Sequence, residues 1–237
     1  MAKVTVEGKF PRRIGDYVLY SLEDQIIIRA KSGFTSEALK TSPKYAKSRN
    51  NASEFGRIST SCKALRLALR DYLPKKNNLL VVNSLTKKMR ALLVFDTESD
   101  SGDRTLARAL KTTEAQKELK GYHFNPEIVT SLDYTIINNQ LKFITDTIVI
   151  PDGTTSVGCT LLALAFDFET FASALCESAI DFYDVAALPD FISLEVPKID
   201  TTNGVLFTLL VLAFYFKTEG GYVPLEDDRS NVVMILA

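Results

Sequence analysis

The stretch that most restricts this chain is residues 204–219, "GVLFTLLVLAFYFKTE", where 205–216 form an almost unbroken apolar run. A helix that crosses a bilayer needs about 20 apolar residues. The run is shorter than that, so no membrane span is expected. Val, Phe, Thr and Leu alternate through it and "EGG" follows at 219–221, a tight-turn signal between strands. The pattern predicts a β-strand buried on both faces.

Such a strand needs a sizeable core, and 237 residues with 46% hydrophobic composition can provide one. The opening "MAKVTVEGKFPRR" has neither the apolar core nor the small-residue cleavage site of a secretory signal, so the expected location is cytoplasmic. Cys62, Cys159 and Cys176 show no CxxC spacing and read as structural thiols.

Charge divides the chain. Residues 1–91 carry 19 Lys and Arg against 7 Asp and Glu, 92–120 carry 5 against 6, and 121–237 carry 4 against 16. A protein of net charge −1 therefore contains a segment of +12 and one of −12. The shift suggests two modules, a basic hairpin with three helices over 1–121 and an acidic β-sandwich, immunoglobulin-like or related, over 122–237. The fold class expected is α+β.

In the first module, strand-like runs at 17–20 and 26–29 predict a hairpin. Ser42 and Pro43 are suited to start a helix of about thirty residues that stops at Pro74. Along it Phe55, Ile58, Cys62, Leu65, Leu69 and Tyr72 recur at spacings of 3 and 4, one apolar seam expected to pack on a second helix over 79–95. A third helix is expected from about 103 to 121. The second module predicts strands at 134–137, 141–144, 147–150, 160–168, 180–183, 191–196, 205–217 and 231–236.

Ile14-Gly15-Asp16 at the hairpin, Arg49-x-Asn51-x-x-Glu54-Phe55-Gly56 on the helix, and Phe214-Tyr215 followed by Tyr222-x-Pro224-Leu225 resemble a family of uncharacterised proteins widespread in Bacteroidetes genomes. The resemblance touches both ends of the chain. It departs at the hairpin tip, which reads "EDQ" where Gly-Tyr is usual, and in the helix, which keeps only Arg49, Asn51, Glu54, Phe55 and Gly56 of the pattern. It brings no activity, cofactor or catalytic residue.

Catalytic signatures are absent from the sequence. His123 is the one histidine, which removes the commonest zinc sites and reads as a boundary residue. No GxxxxGK[ST], GxGxxG or GxSxG string occurs. The acidic "DTESDSGD" at 96–103 reads as a solvated loop with Asp103 as a helix cap, "LEDDRS" at 225–230 as a polar turn, and Asp167 with Glu169 as neighbours on a strand face. No catalytic, cofactor or metal residue is assigned, and no enzyme is expected. The expected function is structural self-assembly into a head-to-tail oligomer or filament, the partner being the protein itself. Arg12, Arg13, Lys47, Arg49, Arg57, Lys63, Arg66 and Arg70 are the candidate assembly or polyanion contacts. The apolar terminal strand Asn231, Val232, Val233, Met234, Ile235 and Leu236 is the candidate joint, through its edge. The competing expectation is a nucleic-acid-binding protein of a phage or mobile element, holding phosphate weakly through the basic module.

Overall fold

A computed structural model describes residues 2–4, 11–22, 25–31, 35–73, 78–126, 132–199, 204–225 and 231–237. The chain is a mixed α+β protein with two compact units, 1–51 and 52–237.

In the first unit β1 (Ala2–Val4), β2 (Arg13–Ile14), β3 (Tyr17–Leu22) and β4 (Gln25–Ala30) form an antiparallel sheet in the order β1-β4-β3-β2. β3 and β4 are the predicted hairpin, and Leu19, Ile26 and Ile27 are its buried side chains. Helix α1 (Ser36–Thr41) starts at Thr35, whose hydroxyl accepts from the Ala38 N–H at 3.0 Å. Pro43 opens a separate 3-10 turn, Pro43–Tyr45, so α2 (Ala46–Ala68) begins later than the Ser42-Pro43 signal implied.

The second unit takes α2 from Ala52 onward, then α3 (Asn78–Leu92), α4 (Leu106–Ala109) and α5 (Thr113–Leu119). The helix expected over 103–121 is two short ones. Thr112 separates them because its hydroxyl accepts from the Ala115 N–H at 3.3 Å, capping a new helix. β5 (Tyr134–Ile137), β6 (Gln140–Ile144), β7 (Ser156–Phe166), β8 (Ser173–Glu177), β9 (Asp181–Asp184), β10 (Phe191–Glu195), β11 (Val205–Thr218), β12 (Gly221–Pro224) and β13 (Val232–Ile235) follow. They form a three-stranded sheet, β10-β6-β5, and a six-stranded sheet built on the long antiparallel pair β7 and β11. β8 and β9 line the outer edge of β7, while β12 and β13 line that of β11.

Alternation along these strands explains the sequence. Phe207, Leu209 and Val211 of β11, with Leu162, Leu164 and Phe166 of β7, share a core with Ile58, Cys62, Leu65, Leu69, Leu85, Met89 and Leu92 of the helices. The intervening Leu210, Leu212 and Phe214, with Val157, Cys159 and Leu161, share a second core with Leu141, Phe143, Ile192 and Leu194 of the smaller sheet. Period-two geometry sends neighbouring side chains to opposite faces, so a strand covered on both is apolar almost throughout, Thr160 of β7 and Thr208 of β11 being buried exceptions. The order of layers is helices, large sheet, small sheet. The boundary consequently falls at residue 51 and not near 121, because helices 52–121 have no core apart from the strands. Helices cover one face of the large sheet and the small sheet covers the other.

Local geometry fits. Asn138 and Asn139 both have positive φ, 50° and 63°, in the two-residue turn joining β5 and β6, the geometry that such hairpins prefer. Gly204 at φ 92° precedes β11 where a Cβ would lie 2.6 Å from the Phe166 carbonyl, so only glycine fits. The run 147–150, expected as a strand, is not one: Thr147 closes a turn in which the Ile148 N–H donates to the Thr145 carbonyl at 3.1 Å, and 148–150 follow as irregular chain. β8 and β12 lack an apolar pattern because nearly every residue in them is exposed.

The terminal strand is also corrected. β13 pairs with β11 on one edge, and on the other Gly121 and Phe124 donate to Ile235 and Val233 while Ile235 donates back to Tyr122. Residues 232–236 are buried, their side chains alternating between the two cores. An apolar strand with both edges occupied fills the interior and offers no free edge for a joint. No helix among the described residues is long and apolar enough to cross a membrane.

Candidate functional site

The inner face of α2 carries Ile58, Cys62 and Leu65 into the core, with Leu69 buried and Tyr72 half-buried beyond its end. Phe55 is not part of that seam, being 48% exposed. The residue that continues it is Glu54, four positions before Ile58, and it is buried. Its carboxylate accepts from Arg104 Nε at 2.8 Å and Nη2 at 3.0 Å, and from the Gly102 N–H at 2.8 Å. The Arg104 hydrogen bonds, helped by the Gly102 N–H and against the cost of burial, hold this carboxyl below its ordinary value.

Asp96 orders the same loop. It accepts from the Ser99 N–H at 3.1 Å, the Ser99 hydroxyl at 2.8 Å and the Thr105 N–H at 2.9 Å. Burial alone would raise its pKa, and these donors with the nearby Arg108 bring it below the ordinary carboxylate value. The 96–103 stretch is thus a structured loop anchored by its first acid. Thr105, not Asp103, caps α4.

Beside this network lies a cleft of 620 Å³, walled by Gly56, Arg57, Thr60 and Ser61 of α2, by Thr105 and Leu106, and by Phe168, Glu169 and Phe171. Asp167 is no strand residue. Its carboxylate accepts from the Glu169 N–H and the Thr170 hydroxyl, both at 2.7 Å, in a turn that sets Phe171 at φ 62°.

The basic candidates separate by role. In the first unit Arg12, Arg13 and Lys47 are exposed, whereas Arg49 donates to the Leu39 and Ser42 carbonyls at 2.9 Å and ties α1 to the turn after it. In the second, Arg57 is committed to the Ser53 hydroxyl and the Gly102 carbonyl. Arg66 is half-buried beside the core. Lys63 and Arg70 are exposed, and Arg70 lies 3.6 Å from Asp71.

The outer sides of the second unit differ in charge. Between α2 and α3 runs a groove of 570 Å³, lined by Phe55, Ser59, Val82 and Thr86 and flanked by exposed Lys87 and Arg90. Leu67, Leu79 and Leu80 are exposed on the same helices. On the far side of the layers, Phe191 of β10 pairs with Ile144 of β6, and both are exposed, at 52% and 44%. Three exposed acids neighbour that pair along the backbone: the Asp133 carbonyl accepts from the Ile144 N–H, the Asp190 carbonyl accepts from the Thr145 N–H, and Asp146 follows in sequence. Lys142 lies 3.7 Å above the Phe191 ring.

Two of the three cysteines lie in the cores. Burial raises the Cys62 thiol to about 11 and the Cys159 thiol to about 12, far from a reactive thiolate. No group of three or more His, Cys, Asp and Glu among the described residues could hold a metal ion. His123 is half-buried and bridges to Met234 through the backbone. "LEDDRS" lies, apart from Leu225, outside the described residues. No protein-family model, curated protein or solved structure matches the chain.

In the sequence Glu54 stands out only within the motif that carries the resemblance, and Arg104 and the cleft do not stand out at all. A signal existed for the first, since a carboxylate at helical spacing from an apolar seam requires a cation.

Proposed function

We propose that this is a cytoplasmic, non-enzymatic protein that associates head to tail with its own copies, the Ile144 and Phe191 patch of one seating in the α2–α3 groove of the next. The observation that carries this reading is the pairing of an exposed apolar pair, with Asp133, Asp146 and Asp190 exposed beside it in the chain and a single lysine, Lys142, over Phe191, with an apolar groove flanked by Lys87 and Arg90, on opposite outer layers of one unit. Apolar contact supplies the holding energy and the charges supply orientation. Because the two surfaces differ, the contact is heterologous and repeats into a ring or filament.

Two double variants test it. Lys87→Glu with Arg90→Glu, and Asp146→Lys with Asp190→Lys, should each be monomeric in sedimentation. Mixed one to one, they present opposite charges at every contact, and assembly should return. If neither variant changes the sedimentation of an associating wild type, the joint is elsewhere. The same basic groove favours a second reading, phosphate binding. Salt-sensitive binding of random duplex and single strands at micromolar affinity, without self-association, would support it. Lys87 and Arg90 would then act on nucleic acid.

A further inference from the structure

Three features of the cleft beside Glu54 converge. First, Gly56 stands inside α2, where glycine is among the poorest helix formers. Its φ is not positive and a Cβ built on it meets nothing within 4 Å. Neither backbone strain nor close packing therefore requires glycine, whereas a side chain there would enter the cleft that Gly56 lines. Second, the next residue, Arg57, lines the same cleft with its Nη groups on Ser53 and Gly102 and its buried Nε–H lacking an acceptor. A buried donor without a partner is rare in a folded protein. Third, Phe171 is held in a left-handed conformation that a bulky residue seldom adopts, and it lines the cleft with Phe168.

We propose that this cleft binds a small amphipathic monocarboxylate, its carboxylate on Arg57 and its apolar body along the Gly56 wall against Phe168 and Phe171. The volume suits a single ligand of modest size. The charge layout selects a monoanion: Arg104 is already paired with Glu54, leaving Arg57 as the cation of the lining, and the exposed Glu169 on the rim disfavours a polyanion. A carboxylate has two oxygens and can take the Nε–H together with a terminal N–H in a bidentate pair. The terminal N–H of that pair belongs to Nη2, which has a second N–H for the Gly102 carbonyl, so the Nη1 bond to Ser53 on the other side of the guanidinium can stay in place.

The test is fluorescence titration of the full chain with dansyl-labelled undecanoic acid and with its uncharged methyl ester. Saturable binding of the acid at micromolar concentration, at least tenfold tighter than the ester, is expected. Gly56→Leu fills the cleft and improves helix propensity, so it should abolish binding while leaving Tm unchanged or higher. Arg57→Gln should bring acid and ester to similar affinity. Failure of the wild type to bind the acid saturably, or retention of wild-type affinity by Gly56→Leu, would overturn the assignment.

Discussion

The two sides of the large sheet are alike in their apolar filling and unlike in how they are closed. On the helical side, loops tuck under α2 and are fixed by ionised groups: Glu54 with Arg104, and Asp96 with the N–H groups of Ser99 and Thr105. On the small-sheet side most closures are neutral, the Asp184 carboxylate that accepts from the Ala186 N–H being an exposed exception. Thr145 donates to the Pro189 carbonyl at 2.5 Å, Asn139 to the Val196 carbonyl at 2.7 Å and Tyr134 to the Leu236 carbonyl at 2.9 Å. Strands satisfy most of their backbone in the ladder and need a few side-chain bonds at their ends. A short helix approached by a loop leaves more backbone donors to satisfy, and carboxylates accept several at once.

The difference can be broken at its strongest point. Arg104→Ala leaves a buried carboxylate with little compensation and should cost about 3 to 5 kcal/mol in denaturant unfolding, a loss for which the small-sheet side has no counterpart. Next in size, Leu209→Ala and Leu212→Ala remove fully buried side chains from the helical-side and strand-side cores respectively. Each should cost about 2 to 5 kcal/mol. A cost under about 1 kcal/mol for one alone would mean that its layer repacks freely.

Acid sharpens the comparison. Glu54 and Asp96 have folded pKa values below their ordinary 4.5 and 3.8. Their contribution is thus present above those values and lost as pH falls through the lower folded ones. Hydrogen exchange below pH 4 should open 96–109 before 134–144, and Glu54→Gln should flatten the acid limb of the stability curve; simultaneous opening would contradict the unequal closure. Smallest is the effect of the outer charges on folding. Lys87→Glu and Asp190→Lys should each change monomer stability by no more than about 0.5 kcal/mol.

Much of the architecture was legible from β11 because a continuous apolar strand has one physical explanation, burial on both faces. The helical seam was legible from Ile58 to Leu69 for the same reason, through its 3 and 4 spacing. What sequence did not expose were features set by a partner distant in the chain. Glu54 becomes an interior residue only through Arg104, fifty positions on. β13 reads as a sticky edge until residues 121–124 are seen beside it. β8 and β12 carry no pattern because the strands they border, and not their own burial, hold them in place. The division near residue 121 followed charge, and charge reports on surfaces while the core of 52–237 ignores it.

The central claim is that the basic groove and the apolar patch with acids beside it in the chain are two halves of one repeating contact. Sedimentation velocity of the purified chain, from low to high micromolar concentration at about 50 mM and about 500 mM salt, tests it most directly. Species that are multiples of 26.3 kDa should grow with concentration and shrink with salt. A single 26.3 kDa particle at every concentration and salt would contradict it.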